Sequence, residues 1–153
     1  MRLLLLLAAL GAFAQTPPDF TGTWRQKTDR GVERRLDIEQ RGHSLLVKTT
    51  VTNSKGSRSL NVKYEVGGPA VTYTGLDGDE FRTSVRWDGE ALVFTTIERE
   101  DGKEIPEKTV WTLANGRESI QVKRQSDKGG KITESVTAYV RDTSPPPASP
   151  SSH

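Results

Sequence analysis

Chemistry needs side chains that can carry it, and this sequence offers few. Histidine occurs twice in 153 residues, as His43 in an Arg41-Gly42-His43 turn and as the terminal His153, and cysteine is missing altogether. A zinc centre needs converging His, Cys or carboxylate ligands, which two such distant histidines do not supply. The stretch Gly75-Leu76-Asp77-Gly78-Asp79-Glu80-Phe81 has hard oxygen donors. It lacks the ligand repeat and distal glutamate of a calcium loop, and reads as a polar hairpin turn. Nucleophilic catalysis would fall to a serine or threonine with His43 as its base. Ser44 beside it belongs to a hairpin shoulder, not to a serine elbow. Two glutamates could meet across a barrel for glycoside chemistry, yet nearly all acids here read as turn or outward positions. No catalytic residue, metal or cofactor is therefore expected, and a weak third reading keeps an enzyme using turn carboxylates. What remains is aromatic: Trp24, Tyr64, Tyr73, Phe81, Trp87, Phe94, Trp111 and Tyr139. These are either a ligand-lining set or an ordinary core.

Which of the two depends on the elements that hold them. From Asp19 to Arg141, turns recur at Gly31, Gly42, Gly56, Gly67-Gly68, Gly75 to Gly78, Gly89, Gly102, Gly116 and Gly129-Gly130, nine turns that leave ten short segments. The segments are rich in Val, Ile, Thr and aromatics, and regular spacing of this kind marks an all-β sandwich or barrel. Asp77-Gly78, Asp88-Gly89, Asp101-Gly102 and Asn115-Gly116 carry hairpin chemistry, since both residue types tolerate positive φ. Alternation assigns the faces. Leu60, Val62, Tyr64 and Val66 share one side against Asn61, Lys63 and Glu65. Phe81, Thr83, Val85 and Trp87 oppose Arg82, Ser84 and Arg86. Ile120 and Val122 oppose Gln121 and Lys123. A period of two with one apolar face leaves each strand wet on one side only. Consecutive short hairpins favour a meander, and closing the meander removes its edges. The expected fold is an antiparallel up-and-down β-barrel of about ten strands. Small residues expected inside, Thr49, Thr83, Thr96 and Ala138, leave either a cavity or a flattened barrel, because ten strands enclose more than the eight that side chains just fill.

The ends read differently. Met1-Arg2 precedes eight unbroken apolar residues, Leu3 to Leu10, and then Gly11-Ala12-Phe13-Ala14. A positive charge, a short apolar run and a small-residue cut site make a secretory signal peptide over residues 1–14. The run is too short to span a membrane, which takes about 20 apolar residues. Loss of Arg2 lowers the formal charge from +2 to +1, and such a balanced chain has no clustered basic surface for nucleic acid. An exported chain without cysteine has no disulfide framework, which suits a bacterial envelope. The last stretch, residues 142–153, is Pro- and Ser-rich and reads as a disordered tail. The domain between is residues 19–141.

Phe20-Thr21-Gly22-Thr23-Trp24 resembles the Gly-x-Trp opening of the first strand in calycins, the group of lipocalins, fatty-acid-binding proteins and avidins. The resemblance implies that Trp24 plugs one barrel end and that Arg141, closing the segment Ser135 to Asp142, packs across it. An indole has an apolar body to bury, and a guanidinium can stack on its face. Ten strands make the chain similar to fatty-acid-binding proteins, with two departures. Lys27 to Glu33 is only a turn, so their helical lid is missing. Their Arg-x-Tyr carboxylate clamp finds Thr137 where the arginine should precede Tyr139. A closer resemblance is to exported bacterial lipocalin-like proteins, through Trp87-Asp88-Gly89-Glu90-Ala91-Leu92 and Trp111-Thr112-Leu113 before Asn115-Gly116. That resemblance implies a fold and a location, without an activity.

The sequence thus reads as a secreted or periplasmic, monomeric, non-enzymatic barrel without cofactor, offering a small apolar or amphipathic ligand a lumen lined by Tyr64, Tyr73, Trp87 and Phe94. The alternative is an envelope interaction module with a packed, ligand-free interior.

Overall fold

The computed structural model describes residues 16–144. The signal peptide over residues 1–14 and most of the C-terminal tail lie outside the described residues. Ten strands follow one another: β1 (Gly22–Lys27), β2 (Glu33–Arg41), β3 (Ser44–Asn53), β4 (Gly56–Glu65), β5 (Val71–Thr74), β6 (Glu80–Asp88), β7 (Ala91–Glu100), β8 (Lys103–Ala114), β9 (Ser119–Lys128) and β10 (Lys131–Arg141). All neighbours are antiparallel, in the spatial order β4-β3-β2-β1-β10-β9-β8-β7-β6-β5. This is the meander expected from the hairpins, wrapped so that first and last strands pair, with Trp24 opposite Arg141. Among the described residues there is no helix, and the link from β1 to β2 is a turn, so no lid covers the barrel.

The turn chemistry divides. Asp101 and Asn115 do take positive φ, 49° and 50°, each followed by a glycine that does the same. At Asp77-Gly78 and Asp88-Gly89 only the glycine is left-handed.

The assigned faces hold. Val62, Tyr64, Val66, Thr83, Val85 and Ile120 are buried, while Leu60, Phe81, Trp87 and Val122 are half-buried. Asn61, Lys63, Arg82, Arg86 and Lys123 are exposed. Thr83 and Thr96 lie inside at 1% and 6% exposure. Ala138 corrects the expectation: it is exposed, because its neighbour Tyr139 points inward opposite Ile120 and successive strand residues alternate faces.

Closure is incomplete, a second correction. β4 and β5 end the strand order and are not paired. They are held by point contacts: a bridge between Val66 and Val85, the Gly67 N–H donating to the Val85 carbonyl at 2.7 Å, and Arg58 Nη1 donating to the Leu76 carbonyl at 2.8 Å. Past β10 the chain keeps its course for one residue, where the Asp142 N–H donates to the Thr23 carbonyl at 2.8 Å.

Candidate functional site

The closed end is built around the opening motif. Trp24 is fully buried, and its Nε1 donates to the Phe20 carbonyl at 3.0 Å. The Arg141 guanidinium carbon lies 4.2 Å from the indole ring centroid. Its nitrogens donate outward, Nη1 to the Thr21 carbonyl at 3.3 Å and Nη2 to the Arg117 carbonyl at 3.1 Å. The cation thus stacks on a ring while its donors tie the first and last strands to the β8–β9 turn. Gly22 fits beneath this cation: an added Cβ would stand 2.5 Å from Arg141 Nη1, and its φ of +145° disfavours other residues. The Gly-x-Trp triplet is therefore one steric unit with Arg141.

Above the plug the rings pack on one another. Phe20 lies against Trp87 and Trp111 at 6.2 and 6.3 Å, Phe94 against Trp111 at 4.5 Å, and Tyr64 edge-on to Phe94 at 5.5 Å. Tyr73 is edge-on to Tyr64 at 6.3 Å and stacks on Phe81 at 5.6 Å. Of the four candidate ligand residues, Tyr64, Tyr73 and Phe94 come together. Trp87 stands at the closed end with Phe20. Alternation places Phe81 inward and Trp111 falls in a hairpin motif, but neither is expected to line the ligand. Phe20 stands out only as part of the opening motif, because its place before the first strand hides its burial.

A row of hydroxyls crosses the same wall. Tyr64 donates to the Tyr73 oxygen at 3.4 Å, Tyr73 meets Thr83 Oγ1 at 3.1 Å, and Thr83 meets Thr96 at 2.8 Å. Buried hydroxyls need such partners. Burial, helped by Tyr73, pushes the Tyr64 phenol far above its ordinary range. Tyr139 is also raised by burial, with Arg34 beside it pulling the other way.

The far half of the lumen is polar and wet. Alternation through the strand register puts Glu98 opposite Phe81, Glu107 opposite Thr96, and Arg124 opposite Thr109. All three therefore face inward, and Glu98 and Glu107 are exceptions to the outward or turn placing expected of nearly all acids. Arg124 Nη2 donates to Glu107 Oε2 at 2.6 Å, with the Glu107 side chain only 11% exposed. That hydrogen bond raises the Arg124 pKa. Glu98 is raised, first by desolvation and then by Glu107, Asp77 and Asp79. Inward positions here, Thr49, Leu60, Thr109, Val122 and Thr137, are half-buried, and Thr133 and Ser135 are exposed.

Asp77, Asp79 and Glu98 bring carboxylate oxygens within 4.8 Å of one another. By type these suit a hard cation, but three carboxylates are fewer donors than the six to eight oxygens calcium takes. His43 is exposed in its turn. Among the described residues no helix is long and apolar enough to cross a membrane.

No protein-family model matches the chain, and no curated protein matches it. Solved structures do. Secretory abundant heat soluble protein 4 from Ramazzottius varieornatus is 12% identical with a TM-score of 0.64, covering 84% of this chain and 99% of that one. The REP1-NXSQ fatty acid transporter has 12% identity and a TM-score of 0.62, covering 82% and 97%. The zebrafish ileal bile acid-binding protein, in complex with cholic acid, has 12% identity and a TM-score of 0.59, covering 80% and 98%. The fold class is thereby a ten-stranded, nearly closed calycin-like barrel of the fatty-acid-binding-protein kind.

Proposed function

We propose that the protein is an exported, non-enzymatic barrel that takes a small apolar or amphipathic ligand into the open half of its lumen. The observation that carries this reading is the divided interior. The plug and its rings fill one half, and the other half keeps inward side chains in contact with solvent. Tyr64, Tyr73, Phe81 and Phe94 form an aromatic floor, and hydroxyls with Arg124 and Glu107 ring the opening, a mostly apolar site with a few orienting polar groups. Structural neighbours that carry a fatty acid or hold cholic acid support it. Export is read from the leader and its Ala12-Phe13-Ala14 cut site.

The head group should be neutral. Thr137 stands where a carboxylate clamp would need its arginine, and Glu98, Glu107, Asp77 and Asp79 crowd one side of the opening. A further buried carboxylate there would be costly. Native mass spectrometry of protein purified from its own envelope tests the reading. A single small apolar molecule bound one to one is expected.

Two observations favour the second reading, a packed interaction module. The rings of Phe94 and Trp111 touch at 4.5 Å, and a surface hollow of about 720 Å³ lies outside the barrel wall, beside Thr23, Asp37, Gln40 and Lys48. Protein running at its bare mass in every such preparation would favour this module.

A further inference from the structure

β10 is the strand whose pattern runs against the rest. Of the four exposed large hydrophobic side chains among the described residues, three lie on it: Ile132, Val136 and Val140, at 59%, 62% and 60% exposure. They share the outward face, with Ala138 between the last two, while the inward face carries Thr133, Ser135 and Thr137. Lys131 to Val136 is exposed on both faces.

Its edge is also free. β9 pairs with β10 from Lys131 to Val140, but β1 pairs with it only at Val140 and Arg141. From Lys131 to Tyr139 no strand among the described residues pairs with the side away from β9, so its backbone donors and acceptors there lack a ladder. Natural edges are blunted by proline, bulges or several charges. This segment has no proline, its register with β9 runs one to one without a bulge, and its outward face holds one charge, Glu134.

We infer that this edge pairs with the same edge of a second copy, antiparallel about a two-fold axis. Three registers that keep the outward faces together pair most of the free stretch, those centred on Glu134, Ser135 and Val136. One centred on Glu134 sets that carboxylate against itself, which is unfavourable for directly opposed strand residues. One centred on Val136 runs into the residues already held by β1, and leaves only Thr133 to Tyr139 paired. The register centred on Ser135 pairs Ile132 with the partner's Ala138, Thr133 with the partner's Thr137 and Glu134 with the partner's Val136. It also gives charge complementarity. Val136 has Lys123 beside it on β9, so each Glu134 faces the partner's Lys123 two strand spacings away, about 9–10 Å between backbones. The two side chains together span that distance. A strand pair of this length falls at the small end of specific interfaces, below about 1,200 Å² in total, so the dimer is reversible. This inference replaces the monomer expected from the sequence and stands apart from the ligand reading.

Sedimentation velocity on the purified protein, over a concentration series reaching the millimolar range, tests it with two substitutions at one exposed position. Val136→Glu sets like charges against the partner's Glu134 twice per dimer and should weaken association several-fold to about tenfold. Val136→Lys sets opposite charges there and should leave association unchanged or tighten it. Circular dichroism confirms that both variants fold. A protein monomeric throughout the series overturns the inference, as does a dimer on which the two substitutions act alike.

Discussion

Gly22, Trp24 and Arg141 show how three residues of the first and last strands become one device. Trp24→Ala should cost about 3–5 kcal/mol, the usual range for deleting a large buried aromatic, measured by urea denaturation. The loss includes an orphaned Phe20 carbonyl, since the indole N–H is its partner. Gly22→Ala should destabilise too, because the new methyl would displace the guanidinium from the ring. A midpoint unchanged by either substitution would remove the plug from the account. Tyr64 carries a pH dependence. Its folded pKa is raised by burial above the ordinary 10.0, so the neutral phenol is favoured in the folded state. The resulting stability is fully present below pH 10 and is lost as pH rises further, because the unfolded phenol ionises first. Tyr64→Phe should flatten the alkaline loss between about pH 9 and pH 11 in urea melts at each pH. An alkaline slope identical to that of the unsubstituted protein would contradict this.

Among the elements, alternation read the faces of β4, β6 and β9, and the glycine spacing gave the ten strands. The pair Trp24 and Arg141 was legible because a resemblance supplied their relation, and register then brought them opposite each other. Where the reading failed, the cause is physical. Apolar alternation reports contact with water, and it coincides with direction only where the interior is dry. In the far half of the barrel the inward positions are wet, so Glu98, Glu107 and Arg124 look like outer residues in the sequence. Ala138 departs for the converse reason: small size suggests an inward place, but Tyr139 beside it fixes the phase. The unpaired margin between β4 and β5 has no local signal, since hairpins specify neighbours in sequence and not closure. Glu98 provides a test at this scale. Desolvation and neighbouring carboxylates raise its pKa. The stability it contributes is therefore full below its unfolded pKa and falls as pH rises through the higher folded value. Glu98→Gln should remove that fall and raise the urea midpoint at neutral pH. A lower midpoint at neutral pH would show that the charge is instead compensated in place, by Arg124.

For the whole molecule, the strand order explains why one end can be solid while the other stays open. The entry to β1, the end of β10 and the β8–β9 turn are tied together at Arg141. At the opposite rim the ties among the described residues are polar and exposed, Arg58 Nη1 donating to the Leu76 carbonyl and Lys128 Nζ to Glu100 Oε2. The lidless turn after β1 leaves that rim uncovered. Titration of the protein's tryptophan fluorescence with a long-chain alcohol and the fatty acid of equal length measures the central claim most directly. It should be repeated on Thr109→Trp, which would fill the lumen from its half-buried wall position. The alcohol should bind with a Kd below about 1 mM, tighter than about −4.1 kcal/mol, the acid more weakly, and the filled variant weaker than either. If neither compound binds below about 1 mM, or if filling the lumen changes nothing, the interior is not a binding site and the ligand account is contradicted.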